Sequence, residues 1–353
     1  MELKLFIWIG WSIVAISLLL AVLLGYLIIR KAEENRMAAK VNALRERYYP
    51  LMYRYVTKGT KSRHLLPDHN PLKFEALERL LGDFSQALQE ESVRRRIREY
   101  AELHFAPTYR KRLNGRAWSR RMNALYRIDE FGITVLTDQL LRLYTEKARL
   151  TPAEWAQLYR IYASAGCLAD TGLLLRPRTV LPDLVLRELF VNMDERSFQA
   201  YVETFGDCPY ALQANLLDVI GIQKKETYID FLLDLLAHDN AEIRIRSLKA
   251  LSRFNRVPYR ETLINHAASE HWEERMMAAR LFGSMREERF LPALRLMMSD
   301  STWWVRRVAG SALMQFRSGE QLLRQIAETD KDAFARDMAL ECLERGKDVA
   351  AAY

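Results

Sequence analysis

The sequence predicts an all-α protein, with a single N-terminal transmembrane helix followed by an α-solenoid of helical repeats. Three observations lead to this prediction. An uncharged run of 25 residues, Leu5–Ile29, lies near the start of the chain, and a short phrase recurs about every 31 residues near its end. The 353 residues include only 14 glycines and 10 prolines. Alternation of apolar and polar residues, which is typical of strands, is rare.

The uncharged run Leu5–Ile29 is long enough to cross a bilayer, since roughly 20 apolar residues suffice for a membrane-spanning helix. It ends in basic residues without a small-residue cleavage site, so an uncleaved anchor over 1–30 is favoured over a signal peptide. Six basic residues lie at 30–47, whereas the N-terminal flank has one lysine against one glutamate. Because positive charge stays inside, we predict a single-pass protein of the cell membrane, with its N-terminus outside and its solenoid in the cytosol.

Residues 31–71 are predicted to form a juxtamembrane helix and a loop. The helix, over Glu33–Val56, continues from the anchor and is expected to be interrupted near Pro50, because proline lacks the amide proton that a helix interior uses. The loop covers Lys58–Pro71, which contains several turn-forming residues.

Two helices are predicted after this loop, at about 72–90 and 92–105. Asn70 is placed to cap the first, with a proline in its first turn, and Ser92 is placed to cap the second. The segment 94–121, which begins inside the second helix, holds ten Lys and Arg against two Glu, a local charge of +8. The residues of this segment that we assign to a basic surface are Arg94, Arg95, Arg96, Arg98, Arg110, Lys111 and Arg112.

Anionic lipid headgroups are the first choice of ligand for this basic surface, because the chain is predicted to be tethered and each basic residue near a membrane contributes about 1 kcal/mol. An acidic protein surface, nucleic acid and a merely solvated helix face stay open as alternatives. Nucleic acid is the least favoured ligand, since the sequence has no recognition module and no basic-aromatic stacking motif.

The C-terminal half carries the repeats, over 211–345, before a tail at 346–353. Their phrase is marked by arginines at steps of 31, 31 and 30 residues: Arg244, Arg275, Arg306 and Arg336. Three positions later stand the small residues Ser247, Ala278, Ala309 and Ala339, which allow helices to approach closely. The companion first helices are predicted at Tyr228–Ala237, Tyr259–Ala268, Phe290–Met298 and Gln321–Ala327. A fixed period of this size is typical of a solenoid, whose units bury their apolar faces by stacking.

The phrase resembles the second helix of a HEAT repeat, in which an acid is followed by Val-Arg and then by small residues at helical spacing. An acid precedes each arginine by five or six positions, at Asp239, Glu270, Asp300 and Asp330. The resemblance implies a ladder of acids and arginines between neighbouring repeats. Its expected members are Asp239, Arg244, Arg275, Asp300, Arg306 and Arg336.

Tryptophan spacing extends the pattern upstream. Trp272 and Trp303 each stand three residues before a ladder arginine, and Trp118 stands three residues before Arg121. We therefore interpret 116–205 as diverged helical repeats of irregular length, within a helical region over 72–210.

No pattern of a catalytic or cofactor site is present: the sequence lacks a phosphate-binding glycine loop, a zinc-protease motif, a nucleophile elbow and an EF-hand. The six histidines lack the i, i+4 spacing of a helical metal site. The three cysteines lie far apart, which fits a reducing compartment. Glu273 and Glu274 point about 100° apart on a helix and are interpreted as a solvated face. We predict no enzyme activity, no cofactor and no metal.

What remains is surface on the second helices, where Arg, Met and Trp are enriched as in protein interfaces. The residues predicted to bind a partner are Arg246, Lys249, Arg253, Met277, Arg280, Trp304 and Arg307. The favoured function is a membrane-anchored cytosolic scaffold that docks a partner protein. A subunit of a membrane complex, for example one of envelope or polysaccharide assembly, would be a natural client, although no residue selects it.

Two other functions stay open. One is a membrane-tethered binder of nucleic acid or anionic lipid. The other is a HEAT-like lyase, which is less favoured because no catalytic constellation is present. No small-molecule substrate is inferred.

Overall fold

The structure is a computed structural model that describes residues 2–68, 70–88, 90–146, 150–167, 173–175, 179–254 and 256–351. Within helices, its description of side chains leaves out 2–7, 9–10, 12–15, 144–146 and 346–351. The described residues form α-helices and short 3₁₀ helices joined by turns, with no strand among them. The predicted all-α fold class is confirmed over this part of the chain.

The chain divides into two compact units, Met1–Ala165 and Gly166–Tyr353. The division falls inside the helical region predicted over 72–210. The first unit contains α1 (Glu2–Lys58), α2 (Pro71–Ala87), α3 (Glu91–His104), α4 (Ala106–Leu113), α5 (Trp118–Phe131), α6 (Thr137–Glu146) and α7 (Pro152–Ser164).

Helix α1 continues through Pro50, so the predicted interruption is wrong. Proline frees the carbonyl four residues earlier, here that of Glu46. Both Glu46 and Pro50 are exposed, so water can hydrogen-bond to the freed carbonyl without a break in the helix. The C-terminal part of α1 joins the core of the first unit, where Met52 and Val56 are fully buried.

Within the described residues, the structure contains no helix with the length and apolar character that crossing a membrane requires. The predicted span Leu5–Ile29 falls partly on residues whose side chains lie outside that description. The predicted anchor is therefore not confirmed.

The predicted start of α2 is confirmed. The Asn70 side chain accepts a hydrogen bond from the Leu72 amide at 3.0 Å, and Pro71 occupies the first helical turn. The predicted Ser92 cap of α3 is wrong. This helix begins one residue earlier, at Glu91, after a capping residue that makes no side-chain cap bond.

The second unit contains α8 (Asp183–Asn192), α9 (Glu195–Glu203), α10 (Tyr210–Gln223), α11 (Ile229–Asp234), α12 (Ala241–Leu251), α13 (Trp272–Met285), α14 (Leu291–Met297), α15 (Trp303–Leu313), α16 (Gly319–Thr329) and α17 (Ala333–Ala351). The four arginine phrases lie on α12, α13, α15 and α17. The first helices are less regular than predicted, because 226–228, 235–237 and 288–290 are 3₁₀ turns and Glu261–Ala268 is 3₁₀ throughout.

Small residues bring neighbouring second helices close together. The residues three positions after the ladder arginines, Ser247, Ala278, Ala309 and Ala339, are fully buried. A Cβ added at Gly283 would lie 2.8 Å from Ala312 Cβ, and one added at Gly310 would lie 2.5 Å from Cys342 Sγ. This tight packing places the arginines of one repeat within reach of acids in the next.

Candidate functional site

The ladder begins with Arg244 on α12. Its Nη1 donates to the carbonyls of His238 and Asp239 at 2.8 and 2.9 Å. Its Nε and Nη2 donate to the carboxylate of Glu274 on α13, at 3.1 and 2.9 Å. The Asp239 carbonyl, rather than its carboxylate, therefore takes part in this rung, and Glu274 supplies the acid.

Arg275 on α13 repeats this geometry. Its Nη1 donates to the carbonyls of Ser269 and Glu270, at 2.7 and 3.2 Å. Its Nε and Nη2 donate to the Asp300 carboxylate at 2.6 and 2.9 Å. Asp300 also accepts a hydrogen bond from the Thr302 amide at the start of α15. Each of these two rungs thus joins one repeat to the next through a planar, two-point contact.

Glu274 corrects the interpretation of the adjacent glutamates as a solvated face. Its side chain is 2% exposed and also receives hydrogen bonds from His266, at 2.7 Å, and Ser269, at 2.9 Å. Burial opposes the charge of Glu274, but the hydrogen bonds from Arg244, His266 and Ser269 hold its pKa below the usual value.

The last two ladder arginines keep only half of this pattern. Arg306 Nη1 donates to the carbonyls of Asp300 and Ser301, and Arg336 Nη1 to those of Asp330 and Lys331. Neither arginine forms an ion pair with a described residue. The predicted ladder residues therefore lie together in sequence order, but carboxylates fill only the Arg244 and Arg275 rungs.

The first unit contains the same contacts at Arg121. Its Nη1 donates to the carbonyls six and five positions earlier, those of Gly115 and Arg116, and its Nε donates to the Glu154 carboxylate at 2.8 Å. Glu154 is fully buried and caps α7 together with Thr151. Burial opposes its charge, whereas Arg121 and Thr151 hold the pKa of Glu154 below the usual value.

A groove of about 610 Å³ lies over α13 and α15. Its lining residues are Trp272, Met276, Arg280, Trp304, Arg307, Val308, Ser311, Ala312 and Gln315. The Trp304 side chain is 51% exposed and meets the Trp303 ring edge-on at 4.7 Å. The Arg307 guanidinium lies 4.9 Å from the centre of the Trp303 ring. Arg280 is exposed and makes no hydrogen bond or ion pair with any residue that the structure describes.

Three of the predicted partner-binding residues, Arg280, Trp304 and Arg307, line this groove. Met277 is buried instead, and its neighbour Met276 lines the groove. Sequence register could not separate two adjacent methionines on a helix that packs on both sides.

The other predicted partner-binding residues lie on α12 or just after it. Arg246 and Lys249 form ion pairs with the two oxygens of Asp218, at 2.9 and 3.1 Å, and Arg246 also pairs with Glu242. Arg253 is exposed. The strip expected to be basic is thus partly neutralised by an acid on α10 that the sequence interpretation did not use.

The basic segment of the first unit separates into two groups. Arg96 Nη1 donates to the carbonyls of Val56 and Thr57 at the C-terminal end of α1. Arg112 pairs with Glu78 at 3.2 Å and lies over the rings of Phe74 and Tyr109. These two arginines therefore contribute to packing. The exposed group is Arg94, Arg95, Arg98, Arg110 and Lys111.

Among the residues that the structure describes, no group of three or more His, Cys, Asp or Glu is arranged to hold a metal ion. The described Cys208 and Cys342 are buried, and burial raises the pKa of each thiol, that of Cys342 to about 11. A thiol with a raised pKa is a weak nucleophile at neutral pH.

Residues 260–344 match the family of HEAT repeats, and no curated protein matches. Among solved structures, a designed armadillo repeat protein is 13% identical over 67% of this chain and 98% of its own, with a TM-score of 0.25. An engineered protein is 14% identical over 77% of this chain and 96% of its own, also with a TM-score of 0.25.

A TM-score of 0.25 is too low to establish a shared fold, so the assignment rests on the family match and on the ladder contacts. The match begins after Arg244, yet Arg244 makes the same contacts as Arg275 inside it. The C-terminal part of the chain is a HEAT-like array of helical repeats.

Proposed function

We propose that this chain is a non-catalytic adaptor, anchored to a membrane by its N-terminal helix, whose HEAT-like repeats dock a partner protein in the groove over α13 and α15. The observation that carries the docking role is the groove itself. It combines the exposed Trp304 with two arginines, Arg280 and Arg307, beside Met276. Trp, Met and Arg are the residue types enriched in protein interfaces.

The chemistry of the groove indicates what it would bind. An apolar side chain of the partner would pack on Trp272, Met276 and Trp304. An acidic side chain would reach Arg280, which has no competing partner among the described residues. Burial of an exposed tryptophan and pairing of an exposed arginine are the contacts that most often dominate binding.

The membrane anchor is supported by the uncharged run Leu5–Ile29 within one continuous helix. From Ile16 to Ile29, its large apolar side chains are exposed, and no described residue of the unit covers them. Such a contiguous apolar surface is typical of an interaction with lipid or protein. The basic residues that follow favour an outside N-terminus and a cytosolic array.

The anchor can be tested separately from docking. Deletion of 2–29 should release the protein from the membrane fraction, and a C-terminal reporter that is active only in the cytosol should work on the full chain. Retention of the deleted protein in the membrane fraction, or cleavage of the repeats by protease added outside intact cells, would contradict the anchor or its orientation.

Lipid or nucleic-acid binding by the exposed basic residues of α3 and α4 is the alternative function. The position of α3 argues against the binding of lipid by these residues. Arg96 binds the end of α1, roughly 40 Å along the helix from Ile29 at about 1.5 Å per residue. If α1 stands upright in a bilayer, this distance is several times the Debye length of about 8 Å in physiological salt.

Docking in the groove is tested by reversing its charge. The double variant Arg280→Glu/Arg307→Glu should lose proteins that co-purify with the wild-type chain in mild detergent, while helicity stays unchanged. Arg295→Glu/Arg317→Glu is the matched control, because both arginines are exposed outside the groove in the same unit. An unchanged partner profile in the groove variant, or equal loss in the control, would remove the groove from the proposal.

A further inference from the structure

The rung at Arg306 is incomplete. Arg244 and Arg275 each use Nη1 for two main-chain carbonyls and present the edge formed by Nε and Nη2 to a carboxylate. Arg306 makes the same two carbonyl bonds, at 2.7 and 3.2 Å. However, its Nε is buried and has no hydrogen-bond partner among the described residues, and the whole residue is only 9% exposed.

The repeat that follows Arg306 is one residue shorter than the two before it. Arg336 follows Arg306 after 30 residues, whereas the two preceding steps are 31. Asp330 stands six positions before Arg336, as Asp300 stands six before Arg306, and it accepts the corresponding cap bond from the Asp332 amide at 3.0 Å. Unlike Asp300, Asp330 forms no ion pair with the arginine of the preceding repeat among the described residues. The shortened repeat therefore retains the acid but does not bring it to Arg306.

An aromatic side chain covers the open rung. The Arg306 guanidinium lies 5.0 Å from the centre of the Phe334 ring, and Phe334 is 64% exposed. The ring attracts the cation but does not satisfy the buried Nε–H donor. A large exposed phenylalanine beside an unsatisfied arginine combines an apolar surface with a hydrogen-bond donor that an added carboxylate would satisfy.

We propose that the Nε–Nη2 edge of Arg306 is a carboxylate-binding site, filled by an Asp or Glu side chain of an acidic segment of a partner protein. The incoming carboxylate occupies the place that Glu274 and Asp300 occupy at the two preceding rungs. The guanidinium fork matches a carboxylate in two-point geometry, and Phe334 forms an apolar wall beside it. None of the residues that line the groove belongs to this site, so the proposal does not depend on docking in the groove.

The carboxylate chemistry is tested first with acetate. The arginine Nε–Hε signals of the ¹⁵N-labelled full chain are recorded in mild detergent, and that of Arg306 is assigned in each protein through correlations from its own backbone amide. Acetate should shift the Arg306 signal saturably, whereas an equal concentration of chloride should not. The Arg275 signal should stay in place because Asp300 already fills that rung. An Arg306 signal that acetate does not move, in both the wild type and Phe334→Ala, overturns the proposal.

The source of the carboxylate is tested with peptides. Labelled hexaglutamate should bind the full chain, and hexaglutamine should not. Arg306→Lys keeps the charge but removes the fork, so it should weaken hexaglutamate binding about tenfold, the factor that corresponds to one strong charged hydrogen bond. Arg295→Lys, at an exposed position elsewhere in the unit, is the matched control and should bind as the wild type does.

Three outcomes contradict the proposal that the carboxylate belongs to an acidic segment of a protein. Equal weakening by Arg295→Lys means that the peptide responds to overall charge. A response to acetate without binding of hexaglutamate means that the site takes only free carboxylates. An acetate response that appears only in Asp330→Asn means that Asp330 closes the rung in solution. Because Phe334→Ala leaves the carbonyl bonds of Arg306 intact, the test does not depend on the folding of Arg306→Lys.

Discussion

At the scale of single residues, Glu274 accepts hydrogen bonds from side chains of two repeats. Glu274→Gln keeps the shape of the side chain but removes the charge that Arg244 and His266 face. We expect a loss of about 1–3 kcal/mol in the free energy of unfolding, because buried charged donors lose their acceptor. Urea unfolding of the full chain in mild detergent measures this loss. Glu273→Gln, one position away and with no described hydrogen bond, is the control and should change stability little.

Ser247 is the exception among the small residues of the repeats. Its side chain is fully buried and its Oγ has no hydrogen-bond partner among the described residues, whereas the equivalent positions hold alanine. Ser247→Ala should therefore stabilise the array by up to about 1 kcal/mol, since a buried unsatisfied hydroxyl is removed. Thermal melting tests this expectation. A lower melting temperature would mean that the hydroxyl has a partner in solution, such as water.

The sequence could identify the ladder arginines but not all of their acids. Periodicity marks a position in a repeat, and it cannot say which of two adjacent side chains points into the interface. Glu273 and Glu274 have the same chemistry, and so have Met276 and Met277. Which residue of each pair is buried depends on the rotation of α13 about its axis, and that rotation is set by packing on neighbouring helices.

At the scale of elements, the 31-residue period located the second helices because their arginines and small residues must recur for neighbouring units to stack. The first helices lack that constraint. Their apolar residues fit both α and 3₁₀ geometry over a few turns. For this reason Tyr259–Ala268 was predicted as a regular helix, whereas Glu261–Ala268 is a 3₁₀ helix. The interruption predicted at Pro50 was wrong for another reason. The prediction considered only the backbone hydrogen bond that proline removes, and not the water that can replace it.

The close approach of α13 and α15 gives a test at this scale. An alanine at Gly283 gains helix propensity of about 0.5–1 kcal/mol. However, its Cβ would lie 2.8 Å from Ala312 Cβ and 3.0 Å from Ala312 Cα. Since backbone has to move, the overpacking cost of about 1–3 kcal/mol should exceed the gain. Urea unfolding should show Gly283→Ala less stable than wild type and Gly206→Ala, which meets nothing within 4 Å, close to wild type.

At the scale of the whole molecule, ladder carboxylates in both units should make stability depend on pH. Burial opposes the charge of Glu154, Glu274 and Asp300, yet hydrogen bonds led by those from the ladder arginines hold the pKa of each below its usual value. A carboxyl group with a lowered folded pKa binds fewer protons in the folded state. Its contribution is therefore complete above the unfolded pKa of about 4 and is lost as the pH falls through the folded pKa.

We expect the melting temperature of the full chain to fall below about pH 4. Asp300→Asn should lower the melting temperature at pH 7 and flatten the decline in acid, because the variant has one fewer group to protonate. Melting curves between pH 3 and pH 7 check both effects. Parallel curves for the two proteins would show that Asp300 does not contribute to the acid sensitivity.

The fold class and the repeat array could be predicted from the sequence because both depend on local periodicity. The residues that line the groove were predicted in part, namely Arg280, Trp304 and Arg307. Arg246 and Arg112 were predicted to belong to binding surfaces, but they form ion pairs with Asp218 and Glu78. These acids lie about 30 residues away in the sequence, and no spacing rule links them to their partners.

The empty rung at Arg306 also has a consequence for hydrogen exchange. Because each repeat contacts only its neighbours, the missing ion pair should let α16 and α17 open as a separate cooperative unit. Amides at 319–345 should then exchange through a local opening of lower free energy than those of α13. Asp300→Asn empties the preceding rung, so it should move this boundary back to include α15. Uniform protection across the array in both proteins would show that the close contact between Gly310 and Cys342 alone couples the last repeat to the rest.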